Sequence, residues 1–456
     1  MKRNIFKFIL PENAIVVIGI IFGILFILIT PPFQAPDEYN HFYRSFQVSE
    51  LRVVAEAHQY RTGGFLPESL VTTAQKVSNG IPAHPEIKQN IEDIFSLLNL
   101  PLESSRVFVD FSNTSLYSPV PYLPQAIGIA LGRIIGMSPI LLMYMGRSLN
   151  LFTWIFLIYL SIKNSPLFKW SLFLLALSPM SLFLASSLSA DAVTNGLSFL
   201  LISVFLNYTF EQKIINKVDI SIVFFISILL SLSKLVYFPL VFLYLLIPVK
   251  KIGSRKKYFT IFALLVLTTV AAFVLWWLFS IKDKAQIPPI PNVSLRDQLL
   301  FILTNPLNFI KVISNTISVY GYMKLEEFVG KLGWLDTHLP TFHFQLYLLM
   351  LLFVSFVSKQ KNIIMAFKQR IIILATLLLN AMFIATILYL ACTPVGWSRV
   401  ECFQGRYFIP LSPLLFLLFY NGKINFNTSK FSIFIIAYSI FSLALTASVL
   451  LQRYYV

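Results

Sequence analysis

The chain has 456 residues, of which 57% are hydrophobic and 12% charged, and its net charge is +16. An ordinary soluble domain is about a quarter charged, so a single water-soluble globule is excluded. Nucleic acid is not the implied partner, because much of the basic charge sits in short clusters between apolar blocks: Lys2, Arg3 and Lys7, then Lys250, Lys251, Arg255, Lys256 and Lys257, then Lys359, Lys361, Lys368 and Arg370. Short basic loops mark the cytoplasmic side of a membrane.

In chain order, residues 13–30 form the first apolar run long enough to span a bilayer. The runs are continuous rather than alternating, so the spans are helices and not barrel strands. The first run lacks a small-residue cleavage site and reads as a retained signal-anchor with the N-terminus inside. Residues 31–138 then form a large outer loop with interfacial helices. Its last part, 122–137, is short and carries Pro124 and Arg133, so it is expected to lie in the interface rather than cross. Spans are expected at 139–162, 170–187, 191–209, 219–232, 235–249 and 258–280. Residues 281–341 read as a second outer loop. Further spans fill 342–456, interrupted by an outer loop at 392–407. The total is about eleven spans in one membrane domain, 1–456. Among the 20 acidic residues, only Glu12, Glu211 and Asp219 fall inside on this arrangement. No long internal repeat is visible, which argues against many transporter folds.

The chemistry-bearing residues collect in the outer segments. Asp37 and Glu38 are adjacent carboxylates just past the first span, and His41 and Arg44 follow at helical spacing. A carboxylate held above the membrane can take a proton from an attacking acceptor. The same residues also fit an ordinary helix start with acids in its first turn. Tyr117 and Tyr122 suit the headgroup level. Asp191 stands where a span begins, a costly place for a charge, and fits either function or an N-cap network with Ser189 and Thr194. Lys234, between two apolar helices, can snorkel or hold a lipid phosphate. Trp334, Asp336 and His338 form a weaker polar group. Gln404, Arg406 and Tyr407 precede another apolar stretch, and an arginine there can clamp a phosphate through two parallel hydrogen bonds. Cys392 and Cys402 share one outer loop, where a disulfide is chemically allowed. The five histidines, at 41, 58, 84, 338 and 343, have no zinc spacing. There is no phosphate-binding P-loop, nucleophile elbow or dinucleotide fingerprint.

Six strings occur in order: PPFQAPDEYNHFYRSFQVSE, YLPQAIGIALGRIIG with GRSLN, SPMSLFLASSLSADA, KLVYFPL, GWLDTHLP and QGRYFIPL. Together they resemble the bacterial membrane-protein family catalogued as domain of unknown function 2142, over residues 15–455. That family is similar to the GT-C glycosyltransferases, which take sugars from polyprenyl-phosphate carriers on the outer face. The resemblance implies an all-α, GT-C-like polytopic fold in the bacterial cytoplasmic membrane with its catalytic face outside. It implies an inverting transfer of a hexosyl or pentosyl group to a glycan, lipid or protein acceptor. Asp37 would be the general base, with Glu38 assisting it or helping to hold a metal. Lys234 and Arg406, with Gln404 and Tyr407, would hold the donor phosphate. His41, Arg44, Asp191, Trp334, Asp336 and His338 would support the site or face the acceptor. Some GT-C enzymes use Mg or Mn and others none, so the resemblance leaves the metal open. Two other readings stand beside the transferase: a flippase or transporter of lipid-linked sugars, which needs polar residues toward the midplane, and a non-catalytic glycan-assembly partner, which tolerates loss of Asp37.

Overall fold

The computed structural model describes residues 10–211, 214–281, 292–357, 363–422, 424 and 429–456. Lys2, Arg3, Lys7, Lys213, Lys359 and Lys361 of the expected basic side lie outside the described residues.

The architecture is mainly helical. Helix α1 (Pro11–Ile29) leads into α2 (Glu38–Ser49), then β1 (Glu56–His58), β2 (Arg61–Pro67), α3 (Glu68–Ser78), α4 (Ile91–Ser96) and β3 (Arg106–Asp110). A one-turn 3₁₀ segment precedes α5 (Leu123–Ile134), and α6 is Pro139–Asn164. Then come α7 (Lys169–Ala176), α8 (Pro179–Ala185), α9 (Asp191–Phe210), α10 (Lys217–Ser233), a 3₁₀ stretch (Leu235–Leu246) and α11 (Arg255–Ile281). The last third holds α12 (Leu295–Thr304), α13 (Pro306–Val329), the pair β4 (Lys331–Leu332) and β5 (Thr337–His338), α14 (Thr341–Val357) and α15 (Phe367–Cys392). A second 3₁₀ stretch (Gly405–Leu411), α16 (Ser412–Leu417) and α17 (Ser429–Tyr454) complete the described chain.

Among the described residues, six helices are long and apolar enough to cross a membrane: α1, α6, α9, α11, α15 and α17. Large apolar side chains on their outer faces stand exposed, among them Leu28, Leu267, Leu275 and Leu378. Such surface has no place in water but is natural against lipid. α9 is the central helix, with 89% of its most apolar window buried. It packs on α6, which also carries α1 and α5.

Side-chain contacts sort the helix ends into two groups. Lys169 reaches Glu12 at 3.2 Å, which joins the start of α7 to the start of α1. Lys251 donates to the carbonyls of Tyr208 and Thr209 at the end of α9, and Arg370 donates to those of Leu418 and Tyr420. Other contacts join Glu38 to Arg147 and to the N–H of Leu188, Asp191 to Lys234 and Arg406, and Asp336 to Arg453.

Several expected elements take another form. Residues 170–187 are not one helix: α7 and α8 are separated at Leu177–Ser178, ahead of Pro179, which cannot donate to a continuing ladder. Both pieces are buried in protein, the condition under which irregular backbone is tolerated at membrane depth. The expected span 235–249 is instead a 12-residue 3₁₀ stretch, Leu235–Leu246, with Pro239 inside it, followed by irregular backbone. The expected loop 281–341 contains α12 and the 24-residue α13. Lys311, Asn315, Lys324 and Glu326 interrupt its apolar residues, which hides the helix from a run-length reading. α5 is 12 residues, or about 18 Å, too short to cross about 30 Å of hydrocarbon. One face, with Gln125, Gly128, Ile129 and Gly132, is buried, while Leu123, Ile127 and Leu131 are exposed.

The segment between α1 and α5 has its own small core, including Phe42, Phe46, Leu66, Leu70 and Phe111. Its three-stranded antiparallel sheet, in the order β1-β2-β3, was not foreseen in an all-α reading. Glu50 closes this cap by pairing with Arg106 at 2.5 Å and Arg133 at 3.2 Å.

The cap is fastened to the spans through a fully buried pair. Arg147 of α6 donates Nε to Glu38 Oε1 at 2.8 Å and Nη2 to Oε2 at 2.6 Å. It also donates to the carbonyls of Ile27, Thr30 and Pro31. Both side chains are 0% exposed. Removing one partner leaves an uncompensated buried charge, which costs about 3–5 kcal/mol. Glu38→Gln and Arg147→Met are each expected to lower the unfolding temperature of the detergent-solubilised protein markedly. The double variant is expected to lose clearly less than the sum of the two losses. An additive double variant would show that the pair does not couple cap and spans.

Candidate functional site

Asp37 is the residue where the chain turns from α1 into α2. Its φ of 58° is left-handed, and its side chain makes no cap bond. The helix-start alternative therefore fails for the Asp37 side chain: the carboxylate turns outward, half-exposed, and accepts from Asn113 Nδ2 at 3.0 Å. A non-glycine residue held at positive φ stores strain, which collects at functional sites.

Glu38 behaves differently from its neighbour. Besides Arg147, it accepts from the backbone N–H of Leu188 at 3.0 Å and of Ala35 at 3.4 Å. Both of its oxygens are thus occupied, and it does not fit the role of a metal ligand shared with Asp37, nor that of a second catalytic acid. Among the described residues there is no group of three histidine, cysteine, aspartate or glutamate side chains placed to hold a metal ion.

Three residues far apart in sequence meet at the start of α9. Asp191, at the first turn of α9, contacts Lys234 directly. Lys234 stands in the C-cap position of α10. Arg406 reaches Asp191 Oδ2 at 3.7 Å, and its Nε donates to Gln404 Oε1 at 2.6 Å. Arg406 Nη1 is buried and has no hydrogen-bond acceptor. Two cations thus share one carboxylate, and Arg406 Nη1 is the nitrogen that faces it, at ion-pair and not hydrogen-bond distance. Lys234 Nζ also lies 5.3 Å from the Tyr407 ring and 5.9 Å from that of Tyr117. Tyr237 donates its hydroxyl to the Tyr407 carbonyl at 2.9 Å and holds that segment. The charge of Asp37 is felt at Arg406, which places the outward carboxylate within electrostatic range of the cations.

The Arg406 segment is clamped from two sides. Cys392 and Cys402 are disulfide-bonded, with Cα atoms 6.4 Å apart. Gly405 donates its N–H to Glu327 Oε2 at 2.7 Å, while Glu327 Oε1 accepts from Lys324. A Cβ on Gly405 would stand 2.0 Å from the carbonyl oxygen of Lys324, so only glycine permits this approach to α13.

The other expected residues form the surroundings. The His41 ring nitrogen Nδ1 is 2.9 Å from the Tyr122 hydroxyl. Arg44, fully buried, donates to Gln47 Oε1 and to the carbonyls of Val53 and Tyr117; it is a structural strut. Trp334 stacks on Tyr39 with ring centroids 5.5 Å apart and donates to the Phe33 carbonyl, which brings it beside the Asp37 turn. Asp336 is taken by Arg453 at 2.7 Å, and His338 pairs with Glu326 at 2.6 Å. The N-cap network of Asp191 is local: its N–H donates to Ser189 Oγ, and Thr194 bonds the Ala190 carbonyl. Sequence reading missed Asn113, Glu327 and Arg453, and missed Arg147 as the partner of Glu38. The paired GR of GRSLN was the available signal for Arg147.

Burial pushes the His41 imidazole down to about 3, against the pull of Asp191 and with a further push from Arg406 and Lys234. His41 is therefore neutral in the folded protein at pH 7. The unfolded chain takes up a proton below about 6.5 and the folded chain does not. Stability is then lost as pH falls from about 6.5 toward 3, by up to about 1.4 kcal/mol per pH unit. Comparing unfolding temperatures at pH 7 and 4.5, His41→Gln is expected to flatten this decline; an unchanged slope would show that His41 is not its source.

The chain matches no curated protein and no solved structure. The family described as predicted membrane protein DUF2142 matches residues 20–415. The protein carries several helices able to span a membrane, and over most of its length it belongs to that family.

Proposed function

We propose that the protein is a membrane glycosyltransferase that moves one sugar from a polyprenyl-phosphate donor to an acceptor hydroxyl or amine outside the cytoplasm. The observation that carries this reading is a half-buried carboxylate, Asp37, at the start of the helix whose His41 lies in the field of two cations, Lys234 and Arg406, that share Asp191. An acyl or phosphoryl nucleophile is not needed for such a reaction. A base on one side of the anomeric carbon and an anion site on the other are.

The acceptor oxygen or nitrogen loses its proton to an Asp37 carboxylate oxygen as it attacks the anomeric carbon. The bond from that carbon to the phosphate oxygen breaks in the same displacement, and its electron pair leaves with the polyprenyl phosphate. Arg406 Nη1, already desolvated, donates to the departing phosphate, and Lys234 supplies the second positive charge. Asp191 holds both cations in place before the donor arrives, so little reorganisation remains for the reaction itself. A single displacement inverts the anomeric centre. A disulfide persists outside the cytoplasm, and the bonded pair Cys392–Cys402 sits just ahead of Arg406, which supports an outer face for this chemistry.

Two measurements test this. A deletion strain and an Asp37→Asn strain are expected to lose the same glycan decoration while the carrier-linked sugar accumulates. An altered profile on deletion with a normal one in Asp37→Asn would instead favour a transporter or assembly partner and remove Asp37 from the chemistry. In intact cells, Cys392 and Cys402 are expected to react with a membrane-impermeant maleimide only after reduction. Labelling that requires permeabilisation would put this face in the cytoplasm and end the outer-face assignment.

A further inference from the structure

The β4–β5 hairpin plays no part in the cationic centre, yet its turn is built to hold one ring in place. The strands pair in the register Lys331↔His338 and Leu332↔Thr337. Between them, Gly333 and Leu335 both take a φ of 62°. A Cβ on Gly333 would collide with Asp336 Oδ1 and stand 2.7 Å from Thr337 Oγ1, so this position admits only glycine. Asp336 is fixed in turn by Arg453. Leu335, a bulky residue in a left-handed conformation, costs about 1–3 kcal/mol. What the turn presents is Trp334, whose ring stacks on Tyr39 at an interplanar angle of 20° and whose Nε1 donates to the Phe33 carbonyl at 3.1 Å. Phe33 and Asp37 are themselves left-handed, with φ of 67° and 58°. Three non-glycine residues in strained backbone thus adjoin one aromatic pair, and such strain gathers at functional sites.

Both rings are part-exposed, which a packing role does not require. Trp334 does not serve as an ordinary headgroup-level anchor either. Such a ring turns its N–H to water or headgroups, whereas this N–H is spent on Phe33. The nearby Asp37 carboxylate would also repel a lipid phosphate. The groups around the pair are polar without being basic. Asp37 accepts from Asn113 at 3.0 Å. The Tyr39 hydroxyl makes no hydrogen bond among the described residues, and burial and the Asp37 charge raise its pKa, so it stays a donor at pH 7. A flat apolar surface bordered by a carboxylate, an amide and a phenol matches a ring with C–H bonds on its faces and hydroxyls on its rim. Those C–H bonds meet the electron-rich aromatic face, and the hydroxyls meet the polar border. A saccharide has this form.

We infer that Trp334 and Tyr39 form the platform on which a saccharide acceptor lies, with the hydroxyl that receives the transferred sugar turned toward Asp37. The acceptor is then a glycan, not a protein side chain or a lipid amine. The inference deepens the transferase reading and rests on it for calling this saccharide the acceptor. A stacking surface discriminates by ring shape and not by charge, so Trp334 determines which acceptors are positioned and takes no part in the proton transfer.

The test uses the full-length protein in phosphatidylcholine nanodiscs. The probe is the envelope polysaccharide of the deletion strain, cut to short oligosaccharides, and binding is followed by titration calorimetry. Saturable binding by wild type is expected. Trp334→Leu is expected to weaken it by about tenfold or more, a change of one decade in Kd. Trp334→Phe loses the bond to Phe33 but keeps an aromatic face, so it should bind within about threefold of wild type even where it melts lower. A merely structural tryptophan would not give affinity that follows aromaticity instead of unfolding temperature. The platform is overturned by absence of saturable binding to wild type, by undiminished binding of a folded Trp334→Leu variant, or by equal losses in Trp334→Leu and Trp334→Phe. It is also overturned if brominated phosphatidylcholine quenches the part of the fluorescence that Trp334→Phe removes, which would turn the ring to lipid. Each of these outcomes leaves the transferase reading standing with another class of acceptor. A normal glycan profile in Asp37→Asn cells is the separate failure of that reading, and oligosaccharide binding through Trp334 would then belong to a glycan-assembly partner.

Discussion

The buried Glu38–Arg147 pair constrains everything above it. Arg147 is planar and forked, so it fills both carboxylate oxygens of Glu38 and still reaches three carbonyls at the end of α1. Glu38 in turn receives the N–H of Leu188, just before α9. The end of α1, the middle of the chain ahead of α9, α6 and the start of α2 thus meet at one charge pair. A lysine could not satisfy this set, because its point charge has no second arm for the carbonyls. The position of Asp37 follows from that of its neighbour. With Glu38 locked inward, the preceding residue must turn outward, and the left-handed backbone at Asp37 is how the chain does so.

The cationic centre depends on a different economy. Lys234 and Arg406 are too deeply buried to stand alone, and Asp191 offsets part of their cost. One carboxylate faces both cations, with Arg406 Nη1 3.7 Å from Asp191 Oδ2. The rigidity of the centre comes from outside the charges: the Cys392–Cys402 bridge and the Glu327–Gly405 bond hold the short 3₁₀ stretch that carries Arg406. A substitution at Gly405 would displace this stretch, because a Cβ there meets the Lys324 carbonyl oxygen at 2.0 Å.

The remaining outer segments act as fasteners. Arg453, at the end of α17, binds Asp336 and the carbonyls of Ile81, His84 and Ile87. It ties the last span to the cap and to the loop that carries Trp334. Trp334 reaches Phe33 and Tyr39, on the approach to Asp37. Polar residues that looked like a cluster in sequence are thus shared among several struts. Only the aromatic ring of that cluster reaches the neighbourhood of the site.

The amino-acid sequence by itself determined the solvent. Long apolar runs such as 13–30 and 371–391 admit only helices in lipid. Lys234, Asp191 and Arg406 were also legible as costly charges near hydrocarbon. Hydropathy could not resolve the break at Ser178, the 3₁₀ turn at Pro239 or the helix α13, because these depend on what encloses the backbone. The roles of neighbours were decided only by tertiary structure. Asp37 and Glu38 are alike in sequence, yet one is bound on both oxygens and the other is open. That difference is made by Arg147, 109 residues away, since a charge is defined by the partners the fold brings to it.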